Sequence, residues 1–335
     1  MNLTRSILIA CATLASAVSW GQACPHRGEL DTAYCDADRD LVADLPTDKS
    51  KWRDPGTLIF AYGPTEDPAT YEGVLRPFVE YLSQCTAKPV RHFALHSHAA
   101  EIEAMRAGRL HVAGYAAGPT GFAVNLAGAV PFAAPGTEAG IRGYHLAFIV
   151  RADSPYRTLP DLKGKKVAHV APSSNSGHLA PLALFPAEGL TPGQDYKPSM
   201  SGGHDKSALG VVAGDYDGAP VASGVLERMI ARGTFKADAI RTIHRSANFP
   251  TQSFAHAHDL RPELAAKIKH CMFAFRFPPL MSKEFSGDDR FLPIDYKKDW
   301  EPIRRVAEVA GTPFNRAGLD REAKREAEER EKAKR

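Results

Sequence analysis

Beyond its first two dozen residues, this 335-residue chain has no apolar run long enough to cross a bilayer. A spanning helix needs roughly 18 consecutive apolar residues. No strong charge of either sign is present: 42 Lys+Arg against 39 Asp+Glu leave a net +3. That is too little to argue for nucleic acid, and no basic cluster with interleaved aromatics stands anywhere. No internal repeat of fixed period is visible, which excludes solenoids and propellers. Gly-x-Ser-x-Gly, the elbow that exposes a hydrolase serine, is missing. Thirteen histidines invite a metal, and His96/His98 and His256/His258 each put two imidazoles on one face of a strand. With Cys24 and His26 they still supply no local set of three or four ligands, which a tetrahedral site needs. No catalytic set, metal or cofactor is expected.

What is present begins with a leader. Arg5 supplies a positive end, "ILIACATLASAV" a short apolar core, and small residues follow in "ASA" and "GQA". This reads as a secretory signal peptide over residues 1–23, cut after Ala23 with Ala17 as second choice. Cys11 comes too early for a lipoprotein box, and Cys24 lacks the apolar residue three before it. Export permits disulfides. Four cysteines remain after cleavage, and Cys24–Cys35 is the favoured pair. Cys85 and Cys271 are then either joined by remainder or free, buried and inert.

Residues 24–55 are polar and without sustained periodicity, an N-terminal extension. Within it Asp36, Asp38, Asp40 and Asp44 alternate like the start of a calcium loop. The central glycine and the late glutamate are absent, so the stretch reads as a solvated acidic turn. From Gly56 onward, apolar strands and helices with apolar residues at 3.6 spacing alternate, as in "TLIFAYG" followed by Val74, Leu75, Phe78, Val79 and Leu82. This β-α-β order implies parallel sheet. Two extended passages, near 144–152 and 240–256, join two such α/β units. The expected layout is lobe 1 over 56–146 and 250–312, lobe 2 over 147–249, and a charged tail over 313–335, its final run read as a solvated or frayed helix. Ligands in such folds sit in the cleft at the carboxyl ends of strands.

One loop there draws notice. "PSSNSGHLAPLAL" puts Ser173, Ser174, Asn175, Ser176 and Gly177 between a strand and an apolar run. A row of hydroxyls at a helix start is either a plain cap or a cradle for an oxyanion. Pro181 cannot donate, so a regular helix from Ser174 would lose a bond there. Tyr62, Thr65 and Glu66, Tyr115, and His204 with Asp205 stand at comparable junctions, Asp205 reading as an N-cap.

In "YGPTEDPATYEGVLRPFVEYL", "EIEAMRAGRLHVAGY", "DLKGKKVAHVAPSSNSGHLAP", "SGGHDKSALGVVAGDYDGAPV" and "IRTIHRSANFPTQSF" the chain resembles the periplasmic phosphate/phosphite/phosphonate-binding proteins of ABC transporters, the PhnD-like group. The resemblance runs from about Gly56 to Trp300. It implies a two-lobed type II binding-protein fold with two hinge-crossing strands, a small oxyanion ligand, and an ABC permease as partner. It also implies a monomer in the periplasm, with no nucleic acid. The family's hydroxyl row falls on Ser174, Asn175 and Ser176, its loop histidine on His204, its first-lobe tyrosines on Tyr62 and Tyr115. His178 stands where the family often has Tyr. His204 would give a charge-assisted bond if protonated, and the two tyrosines would donate hydroxyls from the other lobe. Where aminoalkylphosphonate binders carry acids, this chain has Ala222, Ser223, Thr251 and Gln252. That favours phosphite, phosphate or a small alkylphosphonate. The alternatives are an oxyanion sensor for a histidine kinase, as in arsenite-type relatives, which would need Cys85 or Cys271 in the cleft, and a hydrolase.

Overall fold

A computed structural model describes residues 24–63, 65–321 and 324; the expected signal peptide and most of the final charged run lie outside them. The first lobe opens with β1 (Leu58–Tyr62), α1 (Ala69–Thr86), β2 (Val90–His92), α2 (His98–Arg106), β3 (Val112–Ala116), α3 (Ala117–Ala127) and β4 (Ala129–Gly136). The apolar spacing of α1 buries Val74, Leu75, Phe78 and Leu82 against the sheet. Ser97 caps α2 by accepting from Ala100 N.

The chain then crosses to β5 (Leu146–Arg151), β6 (Ala168–His169), α4 (Ala180–Leu184), β7 (Ser199–Met200), α5 (His204–Ala213), β8 (Ala219–Ala222), α6 (Ser223–Ala231) and β9 (Ile240–Arg245). It returns through β10 (Gln252–Ala257), α7 (Pro262–Ala274), α8 (Pro279–Glu284), β11 (Arg290–Pro293), α9 (Tyr296–Asp299) and α10 (Glu301–Val309).

The first sheet runs β11-β4-β10-β3-β1-β2. β1 is parallel to β2 and β3, while β10 is antiparallel to both β3 and β4. In the second lobe β8-β5-β9 is antiparallel throughout. A parallel bridge from Val167 to Gly218 connects the β6-β7 pair to it. Both lobes thus share one plan. Three parallel strands are followed by an antiparallel one, β10 in lobe 1 and β5 in lobe 2, and then by one parallel to the first three, β4 (with β11 beyond it) and β9. The two crossing passages, 137–145 and 246–251, are stitched where Tyr144 and Phe249 exchange backbone hydrogen bonds of 2.9 and 2.7 Å. This is the two-lobed α/β architecture with two hinge strands that the sequence implies.

Both disulfides are formed, Cys24–Cys35 and Cys85–Cys271. The second ties α1 to α7 within lobe 1. The N-terminal extension is ordered despite its lack of periodicity. Leu30, Tyr34, Val42 and Ala43 join the main core, and Arg53 clamps it with bonds to Asp259 and to Gly108 O. The charged tail begins later than residue 313, since Phe314 and Leu319 are buried and Phe314 stacks edge-on against Phe122.

Candidate functional site

The serine row is shaped by its own carbonyl traffic. Gly177 O accepts from Val170 N (3.1 Å), so it is not available as the acceptor of a regular helical turn. Pro181, four residues on, has no proton to give it in any case. The chain instead makes a wide π turn over Asn175–Leu179 before α4, with His178 N and Leu179 N both on Ser174 O. A Cβ at Gly177 would meet Val170 Cβ at 2.5 Å, so only glycine fits there.

This turn fixes what Ser174 can do. Its Oγ accepts from Gly177 N (3.2 Å) and lies 3.4 Å from His204 Nε2. The His204 ring is itself oriented, because Ala222 N donates to Nδ1 at 3.1 Å. A nitrogen that accepts carries no proton, so the neutral ring holds its hydrogen on Nε2. Burial pushes the His204 pKa down to about 3. His204 is therefore a neutral donor with a set tautomer, not the imidazolium a charge-assisted bond requires. With two donors already pointing at it, Ser174 Oγ has its own proton left to give.

These groups line a cleft of about 270 Å³ between the lobes. Tyr62, Ser174, Asn175 and His204 all stand on its wall. The first residues of α3, α5 and α6, Ala117, His204 and Ser223, stand there too. None of these three helices has a side-chain N-cap bond. Three helix starts thus face one space without side-chain caps, although at α6 Ala222 N is taken by His204 and Ser223 N by His145 O, and their dipoles favour an anion there. Asp205 is the second residue of α5, and Gly203 is its N-cap. Asn175 Nδ2 donates to the Tyr144 hydroxyl (3.1 Å), tying the loop to the first crossing passage, while its buried Oδ1 has no partner.

Three residues named from sequence stand behind the wall. Tyr115 is fully buried, and its hydroxyl faces Met105 Sδ at 3.3 Å, because its place on β3 turns it toward α2. Ser176 is carried inward by the π turn, and no hydrogen-bond partner meets its Oγ. His178 pairs with His169 (Nδ1 to Nδ1, 2.8 Å), whose Nε2 meets the Tyr196 hydroxyl at 2.8 Å. Tyr62 reaches the cleft, but its hydroxyl donates to Gln252 Oε1 at 2.6 Å.

The largest feature was not foreseen from sequence, which placed only Glu66 of it at a strand-to-helix junction. Glu66, in the loop after β1, takes Arg228 Nε (2.8 Å) and Arg232 Nη1 (2.7 Å) from α6 of the other lobe. Arg232 Nη2 also reaches Glu284 at the end of α8. Burial would raise the Glu66 carboxyl, yet Arg228 and the bonds from Arg228, Tyr71 and Arg232 hold it below its usual value. Two acids of lobe 1 and two arginines of lobe 2 so neutralise one another across the mouth of the cleft. A second cross-lobe contact joins His98, at the start of α2, to Ser173 Oγ at 3.0 Å. At a third, Gly118 of α3 lies so close that a Cβ would come within 2.0 Å of Ser173 O. The only legible trace of the arginine pair was its i,i+4 spacing on one helix face. The cleft is also richer in acids than the four substituted positions implied, for Glu227, Glu284 and Asp288 line it. Burial raises the Asp288 pKa to about 6.

A family model described as the periplasmic substrate-binding protein of phosphonate ABC transporters matches residues 60–300. The chain belongs to this family. Among curated relatives, the phosphate-import protein PhnD of Mycolicibacterium smegmatis is 30% identical over 77% of this chain and 87% of its own. The phosphonates-binding periplasmic protein of Escherichia coli is 24% identical over 79% and 77%. Among solved structures, a binding-protein component of an ABC phosphonate transporter from Pseudomonas aeruginosa superposes with a TM-score of 0.69 at 22% identity. It covers 84% of this chain and all of that one. PhnD1 of Prochlorococcus marinus, solved with methylphosphonate, gives 0.68 at 15% identity, over 76% and 98%. Family membership makes this binding protein a periplasmic component of an ABC importer, with a small ligand and a permease as partners, and not an enzyme. The site agrees: His204 Nδ1 accepts from a backbone N–H, so no carboxylate can orient the ring as a hydrolytic triad requires.

Proposed function

We propose that this binding protein captures a small phosphorus oxyanion, phosphate, phosphite or a small alkylphosphonate such as methylphosphonate, and delivers it to its permease. The observation that carries the reading is the convergence of three helix starts without side-chain caps on the cleft that also presents Ser174 and His204. A tetrahedral oxyanion offers several strong acceptors at once, which is what such a set of neutral donors can satisfy. The Ser174 hydroxyl binds one oxygen, and His204 Nε2–H, whose 3.4 Å contact with Ser174 Oγ is long, is shared with a second. Backbone N–H groups at the starts of α3 and α5, and beyond Ser223 in α6, take others. The Tyr62–Gln252 pair faces the ligand from lobe 1. Of the two arginines that line the cleft, Arg228 is already matched by Glu66 and Arg142 acts on the Asp288 carboxyl, so oriented dipoles carry much of the ligand's charge.

Relatives with known ligands support the chemistry: one is a phosphate-import protein and another was solved with methylphosphonate. The sensor alternative loses its premise, since Cys85 and Cys271 are joined in a disulfide and neither lines the cleft. A signal peptide over residues 1–23 would deliver the chain to the periplasm as a monomer without nucleic-acid partners. A thermal-shift panel of phosphate, phosphite, methylphosphonate, 2-aminoethylphosphonate and sulfate tests the ligand class. A rise in Tm with at least one of the first three, larger than with the amine or sulfate, is expected. No rise with any phosphorus oxyanion at millimolar concentration would overturn it.

A further inference from the structure

The acidic turn of the N-terminal extension is not solvated at its head. Asp36 is 0% exposed, and no hydrogen-bond donor reaches either carboxylate oxygen. The nearest basic side chain is His26, with Nδ1 3.5 Å from Oδ2, but that nitrogen already meets Asp36 O at 2.9 Å. A buried carboxylate left without donors is costly, and such groups are ordinarily paired or bound to a metal. One oxygen each from Asp36, Asp38 and Asp40 lie within 4.8 Å of one another. Three carboxylates so placed repel unless a cation sits among them.

The sequence objection was the missing glycine. The backbone turns without it: Arg39 and Leu41 take left-handed φ values of 64° and 71°. Asp38 Oδ1 accepts from Asp40 N and Asp40 Oδ1 from Val42 N, which leaves each carboxylate a second oxygen. Asp44 closes the loop by accepting from Ala37 N at 2.7 Å. The turn is anchored on one side by Cys35, in the disulfide next to Asp36, and on the other by Lys297 Nζ, which donates to Arg39 O at 2.8 Å.

We infer that Asp36, Asp38 and Asp40 hold a calcium ion that pins the N-terminal extension to lobe 1. Hard oxygen donors at alternate positions are the calcium pattern, with backbone carbonyls and water completing the shell. None of the three residues lines the ligand cleft, so the ion is structural. Three carboxylates without a late bidentate glutamate place the affinity among the weak extracellular sites, at dissociation constants of about 0.1–1 mM.

Calorimetric titration of the EDTA-stripped, dialysed protein with CaCl2, alongside MgCl2 and KCl, tests this. One calcium per chain is expected, with a rise in Tm that EDTA reverses. Asp38→Asn with Asp40→Asn, at exposed positions, abolishes both and leaves oxyanion binding unchanged; Asp36→Asn does the same if it folds. No heat and no Tm rise up to about 10 mM calcium, an equal response to magnesium, or full calcium binding in the double variant would each overturn the inference. Because the readout is the cation, failure here is distinct from failure of the oxyanion reading.

Discussion

The two lobes repeat one strand plan but put different chemistry on the cleft. Lobe 2 presents donors set before any ligand arrives: Ser174, held by Gly177 N, and His204, held by Ala222 N. Lobe 1 presents groups already engaged: Tyr62 on Gln252, and Glu66 on two arginines of α6. The difference teaches a division of labour. On the proposed reading lobe 2 recognises, and lobe 1 closes through Glu66, whose bonds cross to the opposite lobe, while Tyr62 stays paired within its own sheet. Closure of this kind is a population shift driven by cross-lobe contacts.

The largest way to break that comparison is at the ion pairs. Glu66 is nearly fully buried, and its loss strands Arg228 and Arg232. Removing one partner of a buried pair costs about 3–5 kcal/mol. Glu66→Gln is expected to lower Tm and to expand the protein in small-angle scattering, while its ligand preference stays the same. A variant that stays compact would show that the ion pairs do not hold the lobes together. Next comes recognition itself. Ser174→Ala removes a hydrogen bond to a charged ligand, about 1.5–3 kcal/mol, or roughly 10–150-fold in Kd by calorimetry. Its Tm without ligand should fall slightly, because Gly177 N and His204 Nε2–H lose an acceptor, about 1 kcal/mol.

Gly118→Ala tests how close the lobes must come. The added methyl lies 2.0 Å from Ser173 O, and overpacking of this kind costs about 1–3 kcal/mol. It should weaken every oxyanion alike, whereas Ser174→Ala should also alter the order among them. A Gly118→Ala variant with wild-type affinity would mean the lobes need not approach as closely as they do here.

The smallest expected effect is in stability against pH. Glu101 lies buried near His98, and burial raises its pKa from 4.5 to about 8. An acid whose folded pKa is raised costs nothing below pH 4.5, where both states are protonated. The cost grows as pH climbs toward 8, because only the unfolded state ionises. Stability should therefore fall across that window. Glu101→Gln removes the slope and raises stability at pH 8, by only about 1 kcal/mol because the amide stays buried and unpaired. A slope unchanged in the variant would assign it to other groups.

Much of the fold was legible, because alternation of strand and helix is written in apolar spacing: α1 follows from Val74 to Leu82, and the second crossing falls within the expected 240–256, whereas the first lies at 137–145 and the expected 144–152 run is mostly β5. The N-terminal extension was not, since its four core residues are scattered among turns and no period announces them. At the site, Ser174 and His204 were readable as polar groups at strand ends. The π turn was half legible, through Pro181, but not the Gly177 carbonyl that requires it. Tyr115 shows the limit. Strand parity decides which face a tyrosine takes, and sequence placed it at the right junction without fixing that parity. The Glu66–Arg228–Arg232–Glu284 set was illegible, because its members are more than 50 residues apart across the two lobes wherever they meet between them.

The central claim, that neutral donors converging on the cleft hold a phosphorus oxyanion, is tested most directly by calorimetric titration of the purified protein with phosphate, phosphite and methylphosphonate, for wild type and Ser174→Ala side by side. The account predicts one saturable site for at least one of the three, weakened at least tenfold in the variant, about 1.4 kcal/mol or more. No binding to any of them, or equal binding by both proteins, would contradict it.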